Sequence, residues 1–241
     1  MEMRTVLYHG DCYEVLPQLI EQGVKVDLIL TDPPYKINIS CSGGKGKITQ
    51  NATKSTKQLE FVSEGWDYVH LLRKFAHLQD IPNMIFFCCN DQVGELQTYF
   101  AGWGLNVEIC VWNKYNAIPI TNGHLMNDIE YILTVRGKGA TFNNKLPSNM
   151  KRRVFTEPLV ANKVHPCEKP LKILDNLVQL YSKENDTILD CFMGSGTTGI
   201  SAVKNNRNFI GIEKEKKYFN IAQQRIDAEN HQTKLTDFFI T

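Results

Sequence analysis

The stretch Thr187-Ile188-Leu189-Asp190-Cys191-Phe192-Met193-Gly194-Ser195-Gly196-Thr197-Thr198-Gly199 decides the fold class. Its first five residues read as a buried strand, and the glycines after them open onto a helical stretch from Thr197 to about Lys204. A glycine turn between strand and helix lets a ligand approach the backbone closely, because no Cβ stands in the way. Working outward, a second apolar run, Asn208 to Ile212, ends at Glu213, whose carboxylate suits the two hydroxyls of a ribose. The glycines also satisfy G-x-G-x-x-G with an acid at about the right distance, so a nicotinamide or flavin site competes for the same residues. Beyond Glu213 the sequence holds one helix and a short tail, less than the second nucleotide-binding half expected of a dehydrogenase.

The rest of the chain alternates in the same way. Strands are expected at about 4–8, 26–31, 84–89, 106–112, 129–135, 187–191 and 208–212. Helices fit about 12–22 with Gly23 as the stop, 67–78, 91–101, 170–182 with Pro170 in the first turn, 197–205 and 215–229. Seven strands with helices between most of them imply an α/β fold with a doubly wound, mostly parallel sheet, in which ligands bind beyond the carboxyl ends of strands. Asp11, Asp32, Gly194 and Glu213 all follow expected strands, so one rim can hold two substrates. There is no internal repeat and no linker-bounded second domain, and the expectation is one domain over 1–241.

At the end of the apolar run Val26 to Leu30 stands Asp32-Pro33-Pro34-Tyr35. Proline fixes its own φ, disfavours helix in the residue before it and has no N–H. Asp32 and Pro33 are therefore expected to be extended, with carbonyls that no ladder consumes. Such a loop can grip an amino group. An amine conjugated to a base ring is a poor nucleophile, and acceptors from a carboxylate and a backbone carbonyl draw on its two hydrogens and free its lone pair. Tyr35 would then stack on the base. The bland alternative is a Pro-rich turn after a strand.

Together these features resemble the DNA amino-methyltransferases, the S-adenosyl-L-methionine-dependent enzymes that methylate N6 of adenine or N4 of cytosine. The resemblance covers most of the chain, with several motifs in one order. It makes Asp32, Pro33, Pro34 and Tyr35 the catalytic D-P-P-Y element, and Phe192 to Gly196 the cofactor motif F-x-G-x-G. The catalytic element comes first, the order of the permuted, beta-class subgroup. Leu7-Tyr8-His9-Gly10-Asp11 is similar to the family's third motif, whose acid faces the adenine end of the cofactor, and Glu213 matches the ribose-binding acid. His165-Pro166-Cys167-Glu168-Lys169-Pro170 is similar to H-P-x-x-K-P, which flanks the methionine end. The resemblance implies a Rossmann-like methyltransferase sheet with an antiparallel last strand. It also implies a cofactor set of Asp11, Asp190, Phe192, Gly194, Ser195, Gly196, Thr197, Thr198, Glu213 and Lys169. Glu130-Tyr131-Ile132-Leu133 and Val111-Trp112-Asn113-Lys114 resemble the later sheet strands.

At 241 residues and 42% hydrophobic, the chain can bury one substantial core. Met1 to Arg4 is polar and no apolar run approaches about 18 residues, so neither signal peptide nor spanning segment is read and soluble cytoplasm is the expectation. The seven cysteines are scattered, with no paired C-x-x-C elements to suggest zinc. Net charge is only +1, but the charges cluster. Lys36, Lys45, Lys47, Lys54 and Lys57 lie in an acid-free stretch amid small polar residues, expected as a mobile basic loop over 36–60. Arg136, Lys138, Lys145, Lys151, Arg152 and Arg153 form a second acid-free segment. Both could neutralise phosphates of double-stranded DNA, or be solvated loops. Residues 113–165, including the polar insert Tyr115 to Met126, are the candidate target-recognition region, and 166–229 the cofactor-binding part.

A base inside a duplex cannot present its amine to a buried sulfonium, so the target is expected to be flipped out, with stacking on Tyr35 offsetting part of the cost. Pro166-Cys167 mimics the nucleophile of cytosine C5 methylation, but amino methylation needs no thiol. An acid at the head of the catalytic element favours adenine, since N4-cytosine members of the family more often carry Ser there. The alternatives are N4-cytosine methylation, a nucleotide-dependent oxidoreductase and an inactive nucleic-acid-binding subunit. A partner restriction endonuclease and a homodimer are open expectations.

Overall fold

A parallel strand covered on both faces has to be apolar nearly throughout. Leu28–Thr31 and Asn83–Cys88 are buried at every position, and the sheet is centred on them. The computed structural model describes residues 4–35, 66–117 and 125–240. Its strands are β1 (Thr5–His9), β2 (Leu28–Thr31), β3 (Asn83–Cys88), β4 (Asn106–Asn113), β5 (Ile129–Arg136), β6 (Val154–Thr156), β7 (Thr187–Asp190) and β8 (Asn208–Glu213). Its helices are α1 (Cys12–Glu21), α2 (Tyr68–Leu78), α3 (Asn90–Phe100), α4 (Leu171–Tyr181), α5 (Thr197–Lys204) and α6 (Lys216–Ile240).

Successive side chains of a strand point to opposite faces. Leu28 and Leu30 of β2 join a core with α4, α5 and α6, whereas Ile29 joins a second core with α1, α2 and α3. Helices therefore cover both sides of the sheet, as the alternation of elements implied. The strand order is β1-β8-β7-β2-β3-β5-β4-β6, eight strands among the described residues where seven were expected. The addition is β6, three residues that pair parallel to β4 with Val154 opposite Val111. Three residues are too few to show a period, so β6 exists through its partner.

The implied antiparallel last strand is also corrected. β8, the last strand of the chain, is parallel to both neighbours, and the antiparallel strand is β5, wedged between β3 and β4. This inversion matters for function. β1, β8, β7, β2 and β3 all end on one rim, and β5 begins there, with Tyr131 opposite Cys88 and Glu130 opposite Trp112. Glu130 consequently arrives near Asp32, with Lys114 paired to it.

Candidate active site

The glycine loop is built around a buried carboxylate. Asp190, at the end of β7, accepts from Thr31 Oγ1 at 2.7 Å, Thr198 Oγ1 at 2.7 Å and the Phe192 amide at 3.1 Å. Burial pushes its pKa up to about 6 against the pull of those three donors. Gly194 and Gly196 have φ of 53° and 83°, a region that disfavours residues with a Cβ. At Gly196 a Cβ would also come within 2.9 Å of Ala222 Cβ, so this turn fits only a glycine tightly packed on α6.

The loop opens into a cavity of about 380 Å³. Asp11, Asp190, Phe192, Gly194, Ser195, Thr197, Thr198, Glu213 and Lys169 of the expected cofactor set line it, whereas Gly196 faces α6 instead. Glu213 ends β8, and its two oxygens accept from the Gly194 amide at 2.9 Å and the Glu215 amide at 2.8 Å. Burial raises its pKa. Asp11 caps α1 through the Tyr13 amide at 2.9 Å and pairs with Lys214 at 3.0 Å. Burial pushes Asp11 up, but the amide and the ammonium outweigh it and leave the carboxyl below its usual value.

Asp32 and Pro34 line the same cavity, one residue beyond β2 and three beyond it. Asp32 Oδ2 is 2.5 Å from Lys169 Nζ, which also lies 3.2 Å from Glu130 Oε2. Glu130 Oε1 is paired with Lys114 at 2.9 Å, and Glu130 Oε2 accepts from the Tyr35 hydroxyl at 3.2 Å. Gln92, buried in the first turn of α3, donates to the Pro34 carbonyl at 2.8 Å and clamps the loop. Asp32 Oδ1 is buried with no hydrogen-bond partner among the described residues. Burial raises the Asp32 pKa against the attraction of Lys169. For Glu130, burial is outweighed by the two lysines, and its carboxyl stays below its usual value.

The other expected residues are distributed as follows. Tyr35 is tied to Glu130 through its hydroxyl and is not among the described residues that line the cavity. Cys167 lines the cavity, but burial pushes its thiol up to about 11, which leaves little thiolate at neutral pH. His165 accepts the Cys167 amide at Nδ1 over 3.2 Å, and its ring centroid is 4.3 Å from that of Tyr218. Burial and nearby lysines lower its pKa to about 4. Arg153 is bonded to Glu108 at 2.5 Å, and Arg152 is exposed just before β6. Lys36, Lys45, Lys47, Lys54 and Lys57 lie outside the described residues.

Sequence reasoning missed three members of this cluster: Glu130, Lys114 and Gln92. Glu130 had a signal, a charge at the mouth of the apolar run Tyr131 to Leu133. Gln92 had none, because its contact with Pro34 spans 58 positions of the chain.

A glycine loop and the turn that carries Asp32 and Pro34 thus open into one cavity at the rim of a doubly wound sheet, where ligands bind in such folds. Residues 26–224 match the N6_N4_Mtase family model, described as DNA methylase, and the chain belongs to that family. It is 29% identical over 92% of its length to the type II methyltransferase M2.LlaDCHI of Lactococcus lactis subsp. cremoris, covering 89% of that protein. It is 28% identical over 94% of its length to M2.DpnII of Streptococcus pneumoniae, covering 91%. Among solved structures, the M1.HpyAVI-SAM complex superposes with a TM-score of 0.68 at 28% identity, over 92% of this chain and 99% of that one. The cytosine-N4-specific PvuII DNA methyltransferase, at a TM-score of 0.64 and 15% identity, shows the shared fold. Membership of this family displaces the oxidoreductase alternative for the glycine loop.

Proposed function

We propose that the protein transfers a methyl group from S-adenosyl-L-methionine to the exocyclic N6 of an adenine turned out of double-stranded DNA. The observation that carries this is Asp32 Oδ1, a buried acceptor without a donor among the described residues, in the cavity that also holds the glycine loop. Buried polar atoms in native proteins nearly always have partners, and an incoming amine supplies the missing one.

The cavity fits the cofactor. Asp11, Asp32, Asp190 and Glu213 give it an anionic lining suited to a cationic sulfonium. Glu213 and Asp11 would hold the ribose and adenine end, and Gly194, Ser195, Thr197 and Thr198 would allow close approach of the rest. Bound there, S-adenosyl-L-methionine supplies an electrophilic methyl on a sulfur that leaves readily. The chain's own residues do the remainder. Asp32 Oδ1 and the Pro33 carbonyl, which accepts no hydrogen bond from the described residues, take the two amine hydrogens and orient the nitrogen lone pair. The nitrogen becomes acidic only after alkylation, so its proton leaves afterwards and Asp32 need not be a strong base. Tyr35, tethered to Glu130, offers its ring to the base; stacking contributes about 1–3 kcal/mol towards the cost of flipping.

Adenine is favoured because an acid heads the catalytic turn, and N4-cytosine is the second reading. DNA contacts are assigned to Lys36, Lys45, Lys47, Lys54 and Lys57 and to Arg152, with 113–165 as the target-recognition region. The same reading extends to a cognate endonuclease, a cytoplasmic location and a homodimer; no described helix is long and apolar enough to cross a membrane. The test is to incubate the protein with labelled cofactor and duplex DNA, then digest the DNA to nucleosides. N6-methyladenine is expected. Label in N4-methylcytosine moves the assignment to the second reading, and label in neither base overturns both.

A further inference from the structure

The Lys169 ammonium has three N–H donors, and acceptors surround it. Asp32 Oδ2 is at 2.5 Å, Glu130 Oε2 at 3.2 Å and the Cys167 carbonyl at 3.4 Å. The side chain is 6% exposed and lies 5.2 Å from the Tyr35 ring centroid and 5.3 Å from that of Phe87. With its donors engaged inside the protein, it is poorly placed to bind a cofactor carboxylate. Glu130, in turn, holds both Lys169 and the Tyr35 hydroxyl. Asp32 and Glu130 face Lys169 and Lys114, so two anions meet two cations in a buried cluster.

We propose that Lys169 is a positioning residue for methyl transfer: bonded to Asp32 Oδ2 and Glu130, it turns the Asp32 carboxylate so that Oδ1 is the acceptor left for the substrate amine. This rests on the role given to Asp32 above. Glu130 completes the device by linking the amine acceptor to the stacking ring, so one ion pair sets both contacts with the base. A carboxylate in such a site is otherwise free to rotate or to take up a proton, and either change removes its alignment with the amine.

Asp32 is faced by Lys169 and Cys167 from the segment before α4, Glu130 from β5, Tyr35 from its own turn, Cys88 from β3 and Asp190 from β7. Among the described residues Lys169 is the cation in direct contact, and it opposes protonation of Asp32. Removing it lets burial and the remaining anions raise the Asp32 pKa further, so loss of activity on acidification sets in at higher pH.

The experiment measures single-turnover methylation of duplex DNA against pH for the wild type, Lys169→Met and Lys169→Arg, with cofactor affinity by calorimetry. For Lys169→Met we expect the rate to fall about 100-fold, the acid limb to move to higher pH and the cofactor dissociation constant to stay at the wild-type value. Lys169→Arg should return the limb toward the wild-type position. Loss of cofactor affinity comparable to the loss of rate, or an acid limb that does not move, overturns the proposal. If Lys169→Met does not fold, Lys169→Met/Glu130→Gln removes one cation and one anion together and carries the same comparison against Glu130→Gln. A wild-type protein that transfers no methyl to DNA defeats the functional reading and this inference together. Wild-type turnover with an unaltered profile in Lys169→Met defeats this inference alone.

Discussion

A buried carboxylate oxygen with no donor costs free energy that the fold must supply elsewhere, on the order of 1–3 kcal/mol. Among the described residues Asp32 Oδ1 is such an atom, and its neighbour Oδ2 is held by Lys169. We expect Asp32→Ala to abolish methyl transfer while calorimetry finds cofactor affinity nearly intact; equal loss of both would move Asp32 to the cofactor site. Cys167→Ala should keep most activity, since a thiol held at about 11 supplies no nucleophile, and a trapped covalent adduct with DNA would contradict this. His165 gives a pH signature. Its folded pKa of about 4 lies below the ordinary 6.5, so its contribution to stability is present above pH 6.5 and is lost as pH falls towards 4. The loss is at most about 3 kcal/mol. Asp190, raised to about 6, acts in the opposite sense between 6 and 3.8. The diagnostic is therefore the difference between wild type and His165→Asn in chemical denaturation at pH 7 and pH 4.5: the wild type should lose more.

Elements hold these residues through close contacts that a single methyl group would break. A Cβ on Gly199 of α5 would lie 2.4 Å from Ile226 Cδ1 and 2.7 Å from Phe209 Cε1, so α5 sits against β8 and α6 only because that position is bare. Gly199→Val should destabilise the fold by about 1–3 kcal/mol, read as a lower denaturation midpoint with no change in slope. An unchanged midpoint would mean that α5 can lift off β8 at little cost. The first turn of α3 has a second task. Gln92 caps its own helix by accepting the Cys89 amide and clamps the D-P-P-Y turn by donating to Pro34. Gln92→Leu should lower the rate more than the stability, because the turn it frees carries Asp32.

For the whole molecule, a net charge of +1 means that any hold on DNA must come from local clusters. The second basic segment is partly committed internally: Arg136 lies 4.5 Å over the Phe142 ring, Lys151 donates to the Asn144 carbonyl and Arg153 is bonded to Glu108. The first segment thus becomes the stronger candidate. Replacing Lys45, Lys47, Lys54 and Lys57 with Gln should lower affinity for target and non-target duplexes alike and reduce the salt slope by about 0.9 for each lysine that contacts phosphate. An unaltered slope would assign that stretch to solvent.

The elements themselves were legible because their signals are local. Apolar runs mark β2, β3, β7 and β8, glycines mark the turn before α5, and each boundary fell within about two residues, apart from the C-terminus of α6. The pair of motifs at Asp32 and Gly194 was legible for the same reason, since each is a contiguous string after a strand. Three things were decided only in three dimensions. β6 depends on pairing with β4, β5 runs against its neighbours, and Lys169 reaches Asp32 across 137 positions of the chain. Backbone conformation follows from neighbouring residues, so the chain alone determined where strands, turns and the D-P-P-Y string lie. The pairing of buried charges depends on which strand ends share a rim, and only the folded sheet, with β5 inverted, brought Glu130 and Lys114 to the lysine that holds Asp32.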